Sequence, residues 1–332
     1  MQTLYPDSET TTYLPNSMKY QHKISFLYLF LLVLLLNPAI STAQKVKSKP
    51  AQATSKTQPA ATAKSLLWEI SGKDLKAPSY LYGTFHLLNH TYLNSVPEVM
   101  ERFTETRAVV VETDVDSAKM MELGAKMVMD GNKLSALLSP QDYTLVSKEV
   151  KQSFGFDLAM ADQMKPVTIL LMLSMSQYQK MEVLKQYKGQ PLDVFFMKWG
   201  RKNNKKIHTL ETMEQQFDLL YSHHPVEKQA EQLVAYVKHK KPAEQISERL
   251  TQLYFDKDLA GMWKISEEYN KLTGGGDMAY MMDDRNKAWM TKLPAIMKAQ
   301  STFIAVGALH LPGENGLLQL LQKAGYTVKP LQ

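Results

Sequence analysis

The stretch FIAVGALHLPGENG, residues 303–316, runs from four apolar residues into a glycine and, three positions later, a histidine. A similar stretch, YLYGTFHLLNH, occupies residues 80–90. A single Gly-x-x-His motif occurs often by chance, but two copies at the ends of short apolar strands favour a shared function. We therefore predict that the two histidines meet in space. The motifs consist of Gly83 with His86 and of Gly307 with His310.

The surroundings of the two motifs predict the fold. In each copy a strand leads into the motif, and a helix and a further strand follow, as expected for an internal duplication. Strand–helix–strand units favour parallel pairing. We predict an α/β fold whose mixed central sheet is built from two duplicated strand–GxxH–helix–strand halves. A large helical insertion separates the halves at about residues 117–298.

Local patterns locate the elements of this fold. The run RAVVVETD suits a strand buried on both faces, and Ser95 with Glu98 has the spacing of a capping box at a helix start. The predicted strands cover residues 66–70, 80–82, 107–114, 205–212, 301–310 and 326–331. The predicted helices after residue 116 cover 117–130, 140–153, 162–186, 191–203, 226–238, 242–255, 258–272, 278–298 and 312–325.

Composition excludes several classes of function. The formal net charge of +6 is spread over scattered lysines, so no nucleic-acid partner is expected. The chain has no cysteine, which excludes disulfides, a thiol nucleophile and cysteine-ligated zinc or iron–sulfur sites. Its 20 methionines cluster in the helical half. They are read as gap-filling core residues, with an adaptable ligand surface as the alternative.

The N-terminal residues predict export. Two lysines precede the apolar run ISFLYLFLLVLLL, residues 24–36, and we expect signal-peptide cleavage after Ala43. The run is short for a membrane span, which needs about 20 apolar residues, but an uncleaved anchor is the alternative. Translation starts at Met1 or Met18. We divide the chain into an extension with signal peptide (1–43), a disordered linker (44–64) and one domain (65–332) that is periplasmic or secreted.

Residues at strand ends suggest a metal site. Ligands of open α/β sheets bind at the carboxyl ends of the strands, so we expect His86 and His310 to converge on one crevice. Glu112 and Asp114 end the strand AVVVETD and emerge at the same edge. Two imidazoles and a carboxylate form a common site for a divalent transition metal with open positions for water.

Further polar residues are candidates for catalysis. Glu211 ends another predicted strand and could move a proton, while Arg285 and Asn286 could polarise or clamp a substrate oxygen. His90 and His208 are expected to be bystanders, and the pair at 223–224 is expected on the surface. The sequence contains no G-x-S-x-G elbow, no phosphate-binding G-x-x-x-x-G-K-[ST] loop and no H-E-x-x-H motif.

Five stretches together resemble the TraB/PrgY/GumN family, whose best-described relatives are the Tiki metalloproteases. They are SYLYGTFHLL, AVVVETD, LETMEQQ, DDRNKAW and FIAVGALHLPGENGLLQLLQKAGYTVKPL, within about residues 65–332. The family's two GxxH motifs map onto Gly83 with His86 and Gly307 with His310, and its acidic residue maps onto Glu112. The resemblance implies a divalent metal, Mn or Co, and peptide-bond hydrolysis for the Tiki branch.

We therefore predict an exported metal-dependent hydrolase, a peptidase of Tiki type, that acts on a peptide or protein. Two alternatives stay open: a protein that binds haem or a small ligand in the same crevice, and a metal-free esterase with a histidine base. Both occur among distant relatives of the fold, and a shared fold does not decide function. No transmembrane span is expected after signal cleavage, and the oligomeric state is unknown. The predicted metal ligands are His86, His310 and Glu112; the predicted catalytic residues are Glu112, Glu211, Arg285 and Asn286.

Overall fold

The computed structural model of the chain describes residues 63–274 and 279–332. The predicted signal peptide and nearly all of the predicted linker lie outside these ranges. Within them, no helix combines the length and the apolar character that crossing a lipid bilayer requires.

The described residues contain one mixed sheet of six strands. Its order is β4–β3–β5–β2–β1–β6. Strands β4, β3, β5 and β2 pair in parallel, whereas β1 runs antiparallel to β2 and β6. The mixed sheet and the parallel pairing of the two motif strands, β2 and β5, are confirmed; an origin by duplication stays a prediction. The strands are β1 (Leu67–Ser71), β2 (Ser79–Thr84), β3 (Ala108–Val111), β4 (Lys206–Thr209), β5 (Thr302–Gly307) and β6 (Thr327–Leu331).

The centre of the sheet consists of continuous apolar runs. Every residue of β2, β3 and β5 is buried, as expected for parallel strands with both faces covered. Strand β4, by contrast, lies at the edge and has no buried residue. The motif strand β5 thus lies between β3 and β2, in the interior of the sheet.

The start of β1 and the end of β6 both lie beside the carboxyl end of β2. Leu67, the first residue of β1, pairs with Tyr82 near the carboxyl end of β2. The same residue pairs with Leu331 at the end of β6. The first residue of β1 and the last residue of β6 therefore lie on the same side of the domain as the first motif.

Helices surround the sheet and fill the predicted insertion. They are α1 (Pro97–Glu105), α2 (Ser117–Leu123), α3 (Leu134–Leu137), α4 (Pro140–Phe154), α5 (Pro166–Tyr178), α6 (Glu182–Lys185), α7 (Leu192–Lys202), α8 (Met213–Tyr221), α9 (Val226–Lys238), α10 (Lys240–Phe255), α11 (Leu259–Leu272), α12 (Asp284–Met290), α13 (Leu293–Ala299) and α14 (Leu317–Lys323). A π-helical turn, Ala279–Asp283, leads directly into α12.

Two long predicted helices are divided. The span 162–186 contains α5 and α6, and 278–298 contains the π-helical turn, α12 and α13. Prolines explain part of this, because Pro166 and Pro294 occupy the first turns of α5 and α13, where a missing N–H costs no hydrogen bond. Helix α8 lies in a region where no helix was predicted.

The predicted capping box at Ser95 is wrong. The Ser95 hydroxyl donates to the Tyr92 carbonyl at 2.7 Å, within a 3₁₀ segment. Helix α1 begins one residue later, after Val96, whose side chain has no hydrogen-bond acceptor. A complete capping box does occur at Thr212 and Gln215, at the start of α8.

The methionines mainly fill the core. Most of those in the described ranges are buried, including Met281 and Met282 in the π-helical turn. Met121 and Met160 are exposed exceptions. This favours methionine as a packing residue over a methionine-lined ligand surface.

Candidate functional site

The two GxxH motifs lie side by side at the carboxyl ends of β2 and β5. Thr84 pairs with Gly307 in the parallel register. Space between the motifs is tight, because a Cβ at Gly83 would lie 3.0 Å from the Cα of Ala308 and 3.2 Å from the Cδ2 of Leu311. A glycine is therefore required at position 83 for the close approach of the second motif.

His86 presents one ring nitrogen to the site and uses the other to hold its position. Its Nδ1 donates to Oδ2 of Asp193 at 2.7 Å. The other Asp193 oxygen accepts from the Thr84 hydroxyl at 2.6 Å. Nε2 of His86 is buried without a hydrogen-bond partner and lies 3.8 Å from Oε1 of Glu112. Buried polar atoms normally have partners, so this nitrogen is available to a ligand.

His310 is completely buried and equally well oriented. Its Nδ1 donates to Oδ1 of Asn286 at 2.8 Å. Its Nε2 lies 3.0 Å from Nη1 of Arg285 and accepts that hydrogen bond, because a guanidinium only donates. The same Nε2 is 3.9 Å from Oε1 of Glu112. His310 is thus a neutral imidazole with its proton on Nδ1.

Glu112 connects the two motifs. It follows β3 directly, and its Oε1 accepts from the backbone N–H of Gly307 at 2.8 Å. Its Oε2 accepts from Nη2 of Arg285 at 2.7 Å and from the Gln216 amide at 3.3 Å. One buried carboxylate therefore lies against both histidines and is fixed by the second motif's backbone.

Arg285 links the remaining polar groups. Its Nε and Nη2 donate to the two oxygens of Glu211 at 2.8 and 2.9 Å, a bidentate pair. Nη1 also donates to the Met281 carbonyl at 3.2 Å. The Trp289 indole donates to Oε1 of Glu211 at 2.8 Å, and its ring centroid lies 4.2 Å from that of His310. Helix α12 thereby supplies Arg285, Asn286 and Trp289 to one site.

The environments of the two histidines shift their pKa values in opposite directions. Burial lowers the pKa of His86, but the carboxylates of Asp193 and Glu112 outweigh burial and raise it to about 9. Burial and the charge of Arg285 hold the pKa of His310 well below its usual range. Burial would raise the pKa of Asp193, but the charge and hydrogen bond of His86 lower it. One imidazole is therefore basic and the other stays neutral.

The site carries an excess of negative charge. Glu112, Asp193 and Glu211 are largely buried, and Arg285 is the cation that neutralises part of their charge. With both histidines neutral, three carboxylates and one guanidinium leave two negative charges. Uncompensated buried charge costs several kcal/mol per ion. A proton on His86 offsets part of this excess, and a divalent cation would offset all of it.

The donor set is suited to a divalent metal, but the site is not arranged around one. In residues 63–274 and 279–332, no three His, Asp or Glu side chains are spaced for a common metal ion. Metal–ligand bonds to nitrogen and oxygen are about 2.0–2.2 Å long, so two donors of one ion lie at most about 4.4 Å apart. The 3.8 and 3.9 Å separations from Glu112 Oε1 are within that limit. Arg285 would have to release His310 for its Nε2 to bind a metal.

The sequence model of the TraB/PrgY/gumN family matches residues 66–330. The chain belongs to this family. No curated protein and no solved structure gives a significant match.

In this member of the TraB/PrgY/gumN family, the structure brings the sequence-predicted residues together with one exception. Asp114, the alternative to Glu112, is partly exposed and pairs with Arg201 at the surface. The residues that lie together are His86, Glu112, Glu211, Arg285, Asn286 and His310, with the motif glycines Gly83 and Gly307 at the strand ends.

Sequence reasoning missed four polar residues of the site. Asp193 has the appearance of an acidic residue in a helical first turn, and Trp289 that of a core aromatic. The signal for Asp193 was a single carboxylate among consecutive apolar residues, PLDVFF, where an unpaired charge is costly. The four missed residues are Thr84, Asp193, Gln216 and Trp289.

The other histidines make different contacts. Nδ1 of His90 accepts from the Gln190 N–H at 2.9 Å, and its ring stacks on Phe195. His223 is exposed and stacks on Tyr280, whereas His224 is partly buried.

Proposed function

We propose that this protein is a divalent-metal-dependent hydrolase, with Mn²⁺ or Co²⁺ held by His86, His310 and Glu112. One observation carries the proposal. The Nε2 atoms of both histidines lie within 3.9 Å of the same oxygen, Oε1 of Glu112. Two imidazole nitrogens and one carboxylate are the ligands that such metals take in hydrolases.

The hydrogen bonds behind the histidines support this assignment. Histidines that bind metals almost always donate their other N–H to a carboxylate, carbonyl or water. Here Nδ1 of His86 donates to Asp193 and Nδ1 of His310 donates to Asn286. Both rings therefore direct Nε2 toward Glu112. The excess negative charge of the site provides a second, independent reason for a cation.

The chain's own side chains have separable roles in this proposal. A bound divalent ion would supply Lewis acidity and a water of lowered pKa. Arg285 is held by both oxygens of Glu211, and the Nη1–H that it donates to His310 would be free to donate to a developing oxyanion once His310 binds the metal. Asn286 orients His310, because its amide is already bonded to the carbonyls of His310 and Asn315.

Glu211 is better suited to holding Arg285 than to the proton transfer expected from the sequence. Its oxygens accept three hydrogen bonds, from Arg285 and from the Trp289 indole. These contacts favour a carboxylate that orients Arg285 over one that shuttles a proton.

The proposed substrate is a peptide or protein outside the cytoplasm. The predicted export signal and the resemblance of five stretches to the Tiki metalloproteases support this class.

The test is metal content and peptide cleavage by the purified full-length chain, with and without added Mn²⁺ or Co²⁺. The His86→Ala/His310→Ala double variant is compared with His208→Ala, a change of the same kind in strand β4. We expect one metal ion per chain and chelator-sensitive cleavage that only the double variant loses. Stoichiometric metal in the double variant would contradict the assignment.

A metal-free esterase is the second candidate, because Arg285 already occupies Nε2 of His310. In that case His86, oriented by Asp193, would act as the general base, with activity rising toward pH 9 as its ring loses the second proton. Turnover of an ester that is insensitive to chelator and lost in His86→Ala would favour it. A red-shifted absorption band on adding haem would instead favour the ligand-binding alternative.

A further inference from the structure

Asp193 is a largely buried carboxylate of the site and, unlike Glu112 and Glu211, it is hydrogen-bonded to His86 rather than to Arg285. It lies in the first turn of α7, 107 positions from His86 in the sequence. Both of its oxygens are used, one by Nδ1 of His86 and one by the Thr84 hydroxyl. Thr84 is the last residue of β2, so Asp193 is connected to the strand and to the motif at once.

The backbone holds Asp193 in place relative to the motif. The segment after His86 pairs with the segment before α7 through three backbone hydrogen bonds. They run from His90 N to Gln190 O at 2.8 Å, from Thr91 N to Lys188 O at 3.3 Å and from Leu192 N to Leu88 O at 3.1 Å. The geometry of the His86–Asp193 pair is therefore set by rigid main-chain contacts on both sides.

The pair differs from an ordinary buried ion pair. A structural histidine normally has both ring nitrogens hydrogen-bonded. In His86 only Nδ1 has a partner, and Nε2 is buried without one. The contacts of Asp193 and Thr84 thus serve to direct Nε2 toward Glu112.

We propose that Asp193, held by Thr84, is a positioning residue that fixes the ring of His86 with its proton on Nδ1 and its Nε2 directed at the metal. The proposal rests on the proposed function for the identity of the ligand, but the orientation of His86 can be measured without any metal. Carboxylates that hold metal-binding histidines typically change metal affinity by about 10–100-fold when replaced.

The experiment compares Asp193→Asn, Asp193→Glu and Thr84→Val in the full-length chain. The matched control is Glu149→Gln, which removes the charge of another buried carboxylate that pairs with Lys240 at 2.7 Å. Co²⁺ affinity is measured at fixed pH by titrating the visible spectrum of the bound ion. The hydrogen-bonded Nδ1 proton of His86 is measured by NMR in the absence of metal.

We expect Asp193→Asn to weaken Co²⁺ binding about 10–100-fold. Thr84→Val should weaken it less, Asp193→Glu should partly restore it, and Glu149→Gln should leave it unchanged. The downfield Nδ1 proton should shift in Asp193→Asn and stay unchanged in Glu149→Gln.

The failures of the two proposals are distinguishable. If His86→Ala weakens Co²⁺ binding but Asp193→Asn does not, the positioning role is wrong and the metal site stands. If wild type binds no Co²⁺, the proposed function fails. The NMR signal of the His86 Nδ1 proton then tests the positioning role by itself. A chemical shift of this proton that is the same in wild type and in Asp193→Asn would overturn the positioning role.

Discussion

Gly83 of the first motif packs directly against Ala308 of the second, with no room for a side chain between them. A Cβ at position 83 would lie 3.0 Å from the Cα and 3.1 Å from the Cβ of Ala308. The distance between the two histidine-bearing loops is therefore set by the absence of one methyl group.

Gly83→Ala is expected to separate the motifs. Overpacking of a dense interior costs about 1–3 kcal/mol, and here the displaced atoms belong to the second motif's backbone. We expect lower stability in urea unfolding together with weaker metal binding. Gly124→Ala is the matched control, because its Cβ would meet nothing within 4 Å, and it should be neutral or slightly stabilising. Equal behaviour of the two variants would contradict the packing argument.

Arg285→Met is expected to destabilise the fold strongly. It leaves Glu112 and Glu211 buried without their cation, and breaking a buried ion pair typically costs about 3–5 kcal/mol. Arg102→Met removes an arginine from an exposed pair with Glu105 and should cost about 0–1 kcal/mol. Chemical denaturation of both variants measures the difference. A loss for Arg285→Met no larger than that for Arg102→Met would show that the buried network does not stabilise the fold.

Trp289 is expected to report metal binding. Its ring lies 4.2 Å from that of His310, so a paramagnetic Co²⁺ ion at His310 should quench its fluorescence. Most of the quenching should disappear in Trp289→Phe. It should persist in Trp199→Phe, whose side chain lies near the far end of α7 from Asp193. Full quenching in Trp289→Phe would place the bound ion elsewhere.

His224 is expected to make stability depend on pH. Burial, together with the charges of His223 and Lys228, lowers its pKa to about 4, from about 6.5 for an unperturbed histidine. The unfolded chain therefore binds more protons between these values. The contribution of His224 to the free energy of unfolding is fully present above about pH 6.5 and is lost as the pH falls toward 4. The free energy of unfolding of His224→Gln should fall less steeply over this window than that of wild type or His223→Gln.

The sequence predicts the candidate site best where a polar residue closely follows an apolar strand. His86, His310 and Glu112 each follow an apolar strand, and parallel strands bring such residues to one edge. Arg285 and Asn286 were candidates by the chemistry of their side chains, because no strand pattern indicated where they lie. Asp193 was missed because a carboxylate in a helical first turn is common, and only the fold reveals that this turn faces the first motif.

Helix boundaries were less predictable for a physical reason. A continuous apolar pattern does not show where a chain inserts a π-helical turn, such as that before α12. The turn matters for the site, since the Met281 carbonyl in it accepts from Arg285. Tertiary contacts of this kind are absent from local sequence patterns.

The start of β1 and the end of β6 lie on the same side of the domain as the candidate site. The Gly83 N–H donates to the Leu66 carbonyl at 2.8 Å, and Leu331 pairs beside Leu67. Whatever is attached before β1 or after β6, whether a membrane, a carrier or an immobilised surface, therefore connects to the domain on the side of its histidines. A short attachment would restrict the site to substrates at that surface, and a longer one would enlarge the volume that the site can search.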